Sequence, residues 1–252
     1  MDSRPILVFG ARGQVAQALK AHKNVITAGR DTANITDASN VENTILAIAP
    51  RAIVNAAAFT AVDQCETEQD LAFAVNAQAA GYIAKSAARH GLPLVHISTD
   101  YVFDGSGAAP ILPDHAVRPL CVYGASKAQG ETHVRAAGGV HAILRTSWVF
   151  APGHANFVTK MQELSQTHTN LSVVGDQVGG PTPARSIAQA CLTIANALAQ
   201  DRSKSGTYHF AGTPCVSWAE FARHIFDATG KTTQITPISS TEYPTPAERP
   251  KN

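Results

Sequence analysis

The sequence predicts an α/β fold built on a doubly wound parallel sheet, with a smaller C-terminal α/β region beside it. Apolar, β-branched segments of strand length recur through the first half of the chain and alternate with segments of helical periodicity. These strand segments are continuously apolar rather than alternating, so both of their faces should be buried. A glycine-containing turn directly follows the first strand. Together these observations favour a parallel sheet covered by helices on both sides.

The first half of the chain alternates predicted strands and helices. Its strands are the apolar segments Ile6–Phe9, Val25–Ala28, Ile53–Ala56, Leu94–Ser98 and Ala142–Thr146. Its helices are the periodic segments Gln14–Ala21, Ala38–Ala49, Asp70–His90 and Ser126–Ala136. Because parallel strands need long crossover connections, which are usually helices, this order indicates a Rossmann-type sheet.

The regular alternation of predicted strands and helices ends after Thr146. The later elements are expected as helices at Asn156–Gln166, Ala184–Leu198 and Trp218–Ala228, and as strands at Leu171–Val174 and Thr207–Phe210. Ser217 should cap the last helix, with Glu220 completing a capping box. The tail from Thr241 contains three prolines, which exclude a regular element there.

We therefore predict a dinucleotide-binding domain over residues 1–148 and a smaller substrate-binding region over residues 149–252. The boundary is approximate, since the chain can cross back to the sheet. The second region should lie over the carboxyl edge of the sheet, where open α/β sheets bind their ligands.

Composition narrows the class of protein. The chain has 252 residues, 44% of them hydrophobic and 15% charged, and a net charge of +1, which favours a globular protein without a nucleic-acid partner. No apolar run reaches the ~18–20 residues that cross a bilayer. The four cysteines stand far apart and the histidines lack a metal-binding spacing, so we predict no metal site. We expect a cytoplasmic protein, either a monomer or a weak homodimer.

The segment GARGQVA, residues 10–16, follows the first strand and opens a helix. Gly10 would allow the tight turn, and Gly13 would let a pyrophosphate approach the backbone at the helix start. We assign Gln14 and Val15 to the same site. Ala16 replaces the third glycine of the usual pattern, and an ordinary strand–helix turn is the alternative interpretation.

Residues after the next two strands are candidates for the rest of a dinucleotide site. Arg30 stands at the end of the second strand, where an acid usually holds the ribose of NAD and an arginine suits the 2′-phosphate of NADP. A solvated Arg30 is the alternative. The remaining candidates are Asn34 and Ile35 beside the adenine, and Ala58, Phe59 and Thr60 along the cofactor.

Tyr123 and Lys127 share one helix face, and the fourth strand delivers Thr99 and Asp100 to the same edge of the sheet. Reduction of a carbonyl needs a proton donor beside a hydride donor. A nearby ammonium group and a nicotinamide ring would lower the pKa of the tyrosine. Lys127 could also hold the ribose, and the Thr99 hydroxyl could polarise the carbonyl. A packed tyrosine beside a solvated lysine is the alternative.

The sequence resembles the extended short-chain dehydrogenases/reductases and, among them, the dTDP-4-dehydrorhamnose reductase family. The matching segments, which follow the family order, are GARGQVA, VNAAAFTAVDQCE, HISTDYVFDG, PLCVYGASKAQGE, LRTSWVF, NFV, DQVGGPT, YHFAG and YPTPAERP. The resemblance implies reduction of the 4-keto group of dTDP-4-dehydro-L-rhamnose to dTDP-L-rhamnose by NADPH, with NADH possible.

The same resemblance implies residue roles. Tyr123 would donate the proton with Lys127 as its partner, and Thr99 with Asp100 would contact the substrate. Trp148 would face the sugar nucleotide, and Arg249 would lie at or near its diphosphate. For Trp148, a core position at the domain junction is the alternative.

Two other functions remain open from the sequence. The fold also serves as a non-catalytic regulatory subunit of the methionine adenosyltransferase type, although Thr99, Tyr123 and Lys127 together argue against that. Another sugar-nucleotide reductase, an epimerase or a dehydratase is the second alternative. Dehydratases usually carry a Glu where this chain has Tyr101.

Overall fold

A computed structural model describes residues 2–107 and 110–252 of the chain. Its strands are β1 (Ile6–Phe9), β2 (Val25–Ala28), β3 (Ala52–Asn55), β4 (Leu94–Thr99), β5 (His141–Thr146), β6 (Val149–Phe150), β7 (Asn170–Val174), β8 (Val178–Gly179), β9 (Thr182–Pro183), β10 (Gly206–His209), β11 (Val216–Ser217) and β12 (Gln234–Ile238). Its α-helices are α1 (Gln14–Lys20), α2 (Ala38–Ile48), α3 (Val62–Cys65), α4 (Gln69–Phe73), α5 (Ala79–Arg89), α6 (Val122–Ala136), α7 (Phe157–Leu164), α8 (Ala184–Gln200) and α9 (Trp218–Thr229).

The central sheet is parallel, which confirms the predicted fold class. Six strands are ordered β10-β5-β4-β3-β1-β2, and every pair of neighbours runs in the same direction. Alternate residues of each strand face opposite sides of a sheet. In β1, Ile6 and Val8 pack into a core with residues of α1 and α8, whereas Leu7 and Phe9 pack into a second core with residues of α2 and α5. Helices therefore cover both faces.

The chain crosses back to the sheet after leaving it. Strand β10 pairs with β5, with Gly206 opposite Ala142, and α8 packs on the same face as α1. The sheet layer thus contains elements from beyond residue 148, as the approximate boundary allowed. The division into two domains itself stays a prediction.

A smaller lobe is built from α7, α9, β7 and β12 around its own apolar core, which includes Met161, Val173 and Phe221. Helix α9 begins with the predicted capping box. The Ser217 hydroxyl accepts from the Glu220 N–H at 3.1 Å, and the Glu220 carboxylate accepts from the Ser217 N–H at 2.7 Å. Residues 243–252 are irregular, as their prolines predicted, although a 3₁₀ turn at Ser240–Glu242 takes in the start of the tail.

Some predicted elements need correction. The predicted helix Asp70–His90 is α4 and α5 joined by a π-helical turn, Ala74–Gln78. Helix α6 begins at Val122 rather than at Ser126. Strand β12, helix α3 and the two-residue strands were not predicted, because each is too short, or too interrupted by polar residues, to show a periodic or continuous apolar pattern. Across the described residues, no helix combines the length and apolar character that a bilayer-spanning segment requires.

Candidate active site

The end of β4 and the first turn of α6 bring three predicted residues together. Tyr123 is 9% exposed, and the Thr99 side chain is among its neighbours. The Thr99 hydroxyl donates to Asp100 Oδ1 at 2.8 Å and accepts from the Tyr101 N–H at 3.2 Å. The Tyr101 ring meets the Tyr123 ring edge-on, with centroids 5.4 Å apart. Thr99, Asp100 and Tyr123 therefore lie together at the carboxyl edge of the sheet.

Burial controls the proton affinities in this group. Desolvation raises the pKa of Asp100 to about 6, against the lowering effect of the Thr99 hydrogen bond. Desolvation also raises the pKa of Tyr123, and the neighbouring Thr99 side chain opposes it. In the polypeptide alone, this direction is opposite to the lowering expected from Lys127. Tyr123 is therefore neutral at pH 7, and the positive charge of a bound nicotinamide ring would have to lower its pKa to make it an efficient proton donor.

Lys127 lies one turn after Tyr123 on α6 and is only 2% exposed. Its Nζ donates to the carbonyl oxygen of Ile97 on β4 at 2.7 Å. Desolvation lowers its pKa to about 8, and Glu131 opposes that shift. The predicted alternative of a solvated lysine is therefore wrong.

A buried asparagine, which sequence reasoning missed, ties α6 to the loop after β3. Asn76 Oδ1 accepts from the Phe59 N–H at 2.8 Å, and its Nδ2 donates to the Phe59 carbonyl and the Ser126 hydroxyl, each at 3.0 Å. Ser126 in turn donates to the Tyr123 carbonyl at 2.8 Å. The available signal was an asparagine inside an alanine-rich helical segment, where asparagine is a poorer helix former than alanine.

The glycine turn after β1 fits a dinucleotide. Gly10 has φ +102°, and a Cβ there would lie 2.8 Å from the Ala57 nitrogen, so the residue must be glycine. A Cβ on Gly13, the N-cap of α1, would meet no atom within 4 Å. The helix start is therefore open to an anion such as a pyrophosphate. Ala58 and Phe59 are half-buried and Thr60 is exposed beside this turn.

Gln14 and Val15 occupy different surroundings. Val15 is buried in the core between α1 and α8. The Gln14 amide donates to the Val149 carbonyl at 3.3 Å, and its oxygen accepts from Asn156 at 3.1 Å. Gln14 therefore links the first helix to the smaller lobe through its side chain. Only the backbone groups of these two residues remain candidates for a phosphate.

Arg30 is exposed directly after β2, and its contact with a ribose phosphate stays a prediction. A second arginine, which was not predicted, lies at the same place: Arg12 Nη2 is 2.7 Å from Asp31 Oδ2, and both side chains are largely exposed. The Asn34 side chain accepts from the Thr36 N–H and hydroxyl. Ile35 packs against the core beneath α2. These two residues shape the turn beside the expected adenine position.

Trp148 packs against a second indole that was not predicted. The Trp148 ring stacks on that of Trp218, with centroids 3.4 Å apart and planes 6° from parallel. A Cβ on Gly179 would lie 2.5 Å from the Trp148 ring. Trp218, rather than Trp148, is among the residues that line the cleft between α7, β7 and the tail. These contacts favour the core alternative, and the role of Trp148 toward the sugar nucleotide stays a prediction.

A cleft of about 800 Å³ lies between α7, β7, the start of α9 and the tail. Arg249 lines it, as predicted, and its guanidinium is already engaged. Nη2 donates to Asp63 Oδ2 at 2.8 Å and Nη1 to the Ala247 carbonyl at 3.0 Å. The ion pair lowers the pKa of Asp63. Asp63, on α3, was not predicted, because 186 residues separate it from its partner.

A parallel, doubly wound sheet with a glycine turn at one strand end and a Thr–Tyr–Lys group at another defines the class of short-chain dehydrogenases/reductases. Residues 4–252 match the family described as RmlD substrate binding domain. A dTDP-4-dehydrorhamnose reductase of Sinorhizobium fredii is 42% identical over 98% of this chain and 87% of its own length. The chain therefore belongs to the RmlD substrate binding domain family.

Solved structures agree with this assignment. A dTDP-4-dehydrorhamnose reductase from Clostridium acetobutylicum superposes with a TM-score of 0.92 at 38% identity, over 98% of this chain and 88% of that one. The enzyme of that name from Bacillus anthracis, solved in complex with NADP, gives 0.89 at 34% identity, with the same coverage.

Proposed function

We propose that this protein reduces the 4-keto group of dTDP-4-dehydro-L-rhamnose to give dTDP-L-rhamnose, with NADPH as the preferred reductant. The observation that carries the proposal is the grouping of Thr99 and Tyr123, with Lys127 one turn away, at the carboxyl edge of the sheet. The names of the similar proteins supply the substrate. A regulatory subunit would not need these three side chains together.

The side chains divide the chemistry between them. The reduced nicotinamide supplies the hydride when it is bound. Tyr123 donates its proton to the carbonyl oxygen of the substrate, which becomes the hydroxyl of the product. Thr99 would donate its one hydroxyl hydrogen to the same oxygen after releasing its present acceptor, Asp100. Lys127 would donate to the ribose hydroxyls of the bound cofactor.

Several features support NADPH as the cofactor. Gly10, Gly13 and the backbone of Gln14 and Val15 would hold the pyrophosphate, and the residues 58–60 would line the nicotinamide half. Arg30, together with Arg12, would bind the 2′-phosphate, since guanidinium groups suit phosphate oxygens. The Bacillus anthracis relative was solved with NADP. NADH, which lacks that phosphate, should be a poorer cofactor.

The sugar nucleotide would occupy the cleft of the smaller lobe. Trp218 offers a flat apolar face for a ring, and Arg249 can donate to a phosphate after releasing one of its present acceptors. Asp100 and Thr99 would contact the sugar. A monomer or a weak homodimer in the cytoplasm remains our expectation for the assembly and its location.

The deciding experiment follows NADPH oxidation with the 4-keto sugar nucleotide generated in situ. We expect turnover that needs both substrates and that falls when NADH replaces NADPH. Arg30→Asp should move the ratio of kcat/KM values toward NADH, by repelling the phosphate and offering an acceptor to the ribose. No NADPH oxidation by the folded wild-type protein would reject the proposed reaction.

A further inference from the structure

Glu131 is a buried carboxylate that the chemistry above does not use. It lies on α6 one turn after Lys127 and is 0% exposed. Arg145 donates to both of its oxygens, at 2.8 and 2.7 Å, and Arg135 donates at 2.9 Å. These hydrogen bonds hold the pKa of Glu131 below its ordinary value, although desolvation acts in the opposite direction. The carboxylate is therefore charged at neutral pH.

A fourth donor connects Glu131 to the candidate active site. The Ser98 hydroxyl donates to Glu131 Oε1 at 2.7 Å. Ser98 stands on β4 between Ile97, whose carbonyl accepts from Lys127, and Thr99, which neighbours Tyr123. One carboxylate thus fixes the strand end that positions both functional side chains.

Charge is the second link between Glu131 and Lys127. The titratable groups that face this part of α6 are His96 from β4, Arg145 from β5, Glu66 from the α3–α4 loop and Asp100 after β4, besides Tyr123, Glu131 and Arg135 on the helix itself. Burial keeps the pKa of His96 well below its ordinary value, so it is neutral. Glu131 is the neighbour that stabilises the cationic form of Lys127 against desolvation.

We propose that Glu131 is a positioning residue that fixes the end of β4 through Ser98 and places a buried negative charge one helical turn from Lys127. The proposal rests on the assigned role of Lys127 toward the ribose. The two parts of the proposal can be separated, because Ser98→Ala removes the link to β4 and leaves the charge, whereas Glu131→Gln removes the charge and can keep the link.

The charge is tested by NADPH binding, which needs no sugar nucleotide. Fluorescence titration from pH 6 to pH 10 should give a wild-type affinity that weakens as Lys127 deprotonates, above a pH of about 8. In Glu131→Gln this weakening should begin roughly one pH unit lower, as expected when an opposite charge is lost. Lys127→Met should show no such pH dependence. That result would assign the loss of NADPH affinity at high pH to Lys127.

The link to β4 is tested by turnover. Ser98→Ala should lower kcat roughly tenfold through misplacement of Thr99 and Ile97, with the pH dependence of NADPH binding unchanged. If Glu131→Gln fails to fold because Arg145 is left unpaired, the double variant Glu131→Met, Arg145→Met replaces the buried pair by apolar side chains. It should show the same shift to lower pH, since Lys127 again lacks the carboxylate.

The outcomes separate this inference from the proposed function. If the wild-type protein loses NADPH affinity with rising pH through Lys127, but does not reduce the sugar nucleotide, the inference about Glu131 stands and the proposed reaction is rejected. If the wild-type protein is a reductase and its folded Glu131 variants bind NADPH with the wild-type pH dependence, the role of the Glu131 charge is overturned. An unchanged kcat in Ser98→Ala overturns the positioning role, and a wild-type affinity that is flat across this pH range also overturns the inference.

Discussion

At the scale of single residues, the hydroxyl of Tyr123 carries the proposed chemistry. Tyr123→Phe removes that hydroxyl and leaves the ring that packs against Tyr101. We expect kcat to fall by about 10² or more, the range typical of general acid catalysis. The measurement is steady-state NADPH oxidation, with fluorescence titration to show that NADPH affinity is retained. An unchanged kcat would remove Tyr123 from the proposed mechanism.

Asp100 couples stability to pH at the same place. Its pKa is raised from 3.8 to about 6, so the folded protein favours the protonated form. The stabilisation this provides is complete below pH 3.8 and is lost as the pH rises through 6. Asp100→Asn stays neutral and should gain stability relative to wild type over that interval, by at most roughly 3 kcal/mol. Urea unfolding from pH 4.5 to 7.5 measures it, and a constant difference would contradict the raised pKa.

The sequence could place Thr99 at a strand end, and Tyr123 with Lys127 on one helix face, because these positions follow from local spacing. It could not identify Asp63 or Trp218, because their partners lie far along the chain. For Trp148, the sequence shows an indole after a strand end, which is a usual place for a ligand contact. Only the three-dimensional packing shows a second indole over its face.

At the scale of elements, helix α6 depends on glycines that let it approach other backbone closely. A Cβ on Gly130 would lie 2.2 Å from the carbonyl oxygen of Asn76, in the π-helical turn, and a Cβ on Gly124 would lie 2.1 Å from that of Tyr101. Neither acceptor belongs to a flexible side chain. The sequence predicted helix α6 but neither its start at Val122 nor the π-helical turn that it packs against. The close contacts of Gly124 and Gly130 with these regions are visible only in the folded structure.

Gly130→Ala should therefore force α6 away from the turn that holds Asn76. We expect a loss of about 1–3 kcal/mol in the free energy of unfolding, the usual cost of overpacking. Gly206→Ala is the matched control, since its Cβ would meet only a Tyr208 side-chain atom at 3.9 Å. It should change stability by less than about 0.5 kcal/mol. Urea midpoints compare the two, and equal effects would refute the close-approach argument.

At the scale of the whole molecule, the cleft is closed by a tail that returns to the nucleotide-binding sheet. The Ala247 N–H and the Arg249 guanidinium both donate to Asp63. Lys251 lies 3.7 Å from Asp176, and its carbonyl accepts from the Val178 N–H at 2.8 Å. The tail therefore fixes Arg249 relative to both lobes before a ligand arrives.

Trp218→Ala and Arg249→Ala should each weaken dTDP binding, by roughly tenfold, through loss of a stacking face and of a phosphate donor. Trp148→Phe, which keeps an aromatic ring against the Trp218 indole, should bind dTDP like the wild type. Isothermal calorimetry compares the three variants, with circular dichroism as a check on folding. If Trp148→Phe loses as much dTDP affinity as Trp218→Ala, the ligand contacts Trp148 and the assignment to Trp218 is wrong.

The pairing of β10 with β5 bears on how the protein is made. The apolar face that holds Ala142 and Leu144 is completed by Cys191 and Leu198 of α8, and the sheet reaches its full width only with residue 209. During synthesis, at about 5–20 residues per second, that face stays uncovered for several seconds after β5 leaves the ribosome. The nascent chain is then most open to capture by chaperones or to aggregation, so the speed of translation through residues 147–209 becomes a determinant of the yield of folded enzyme.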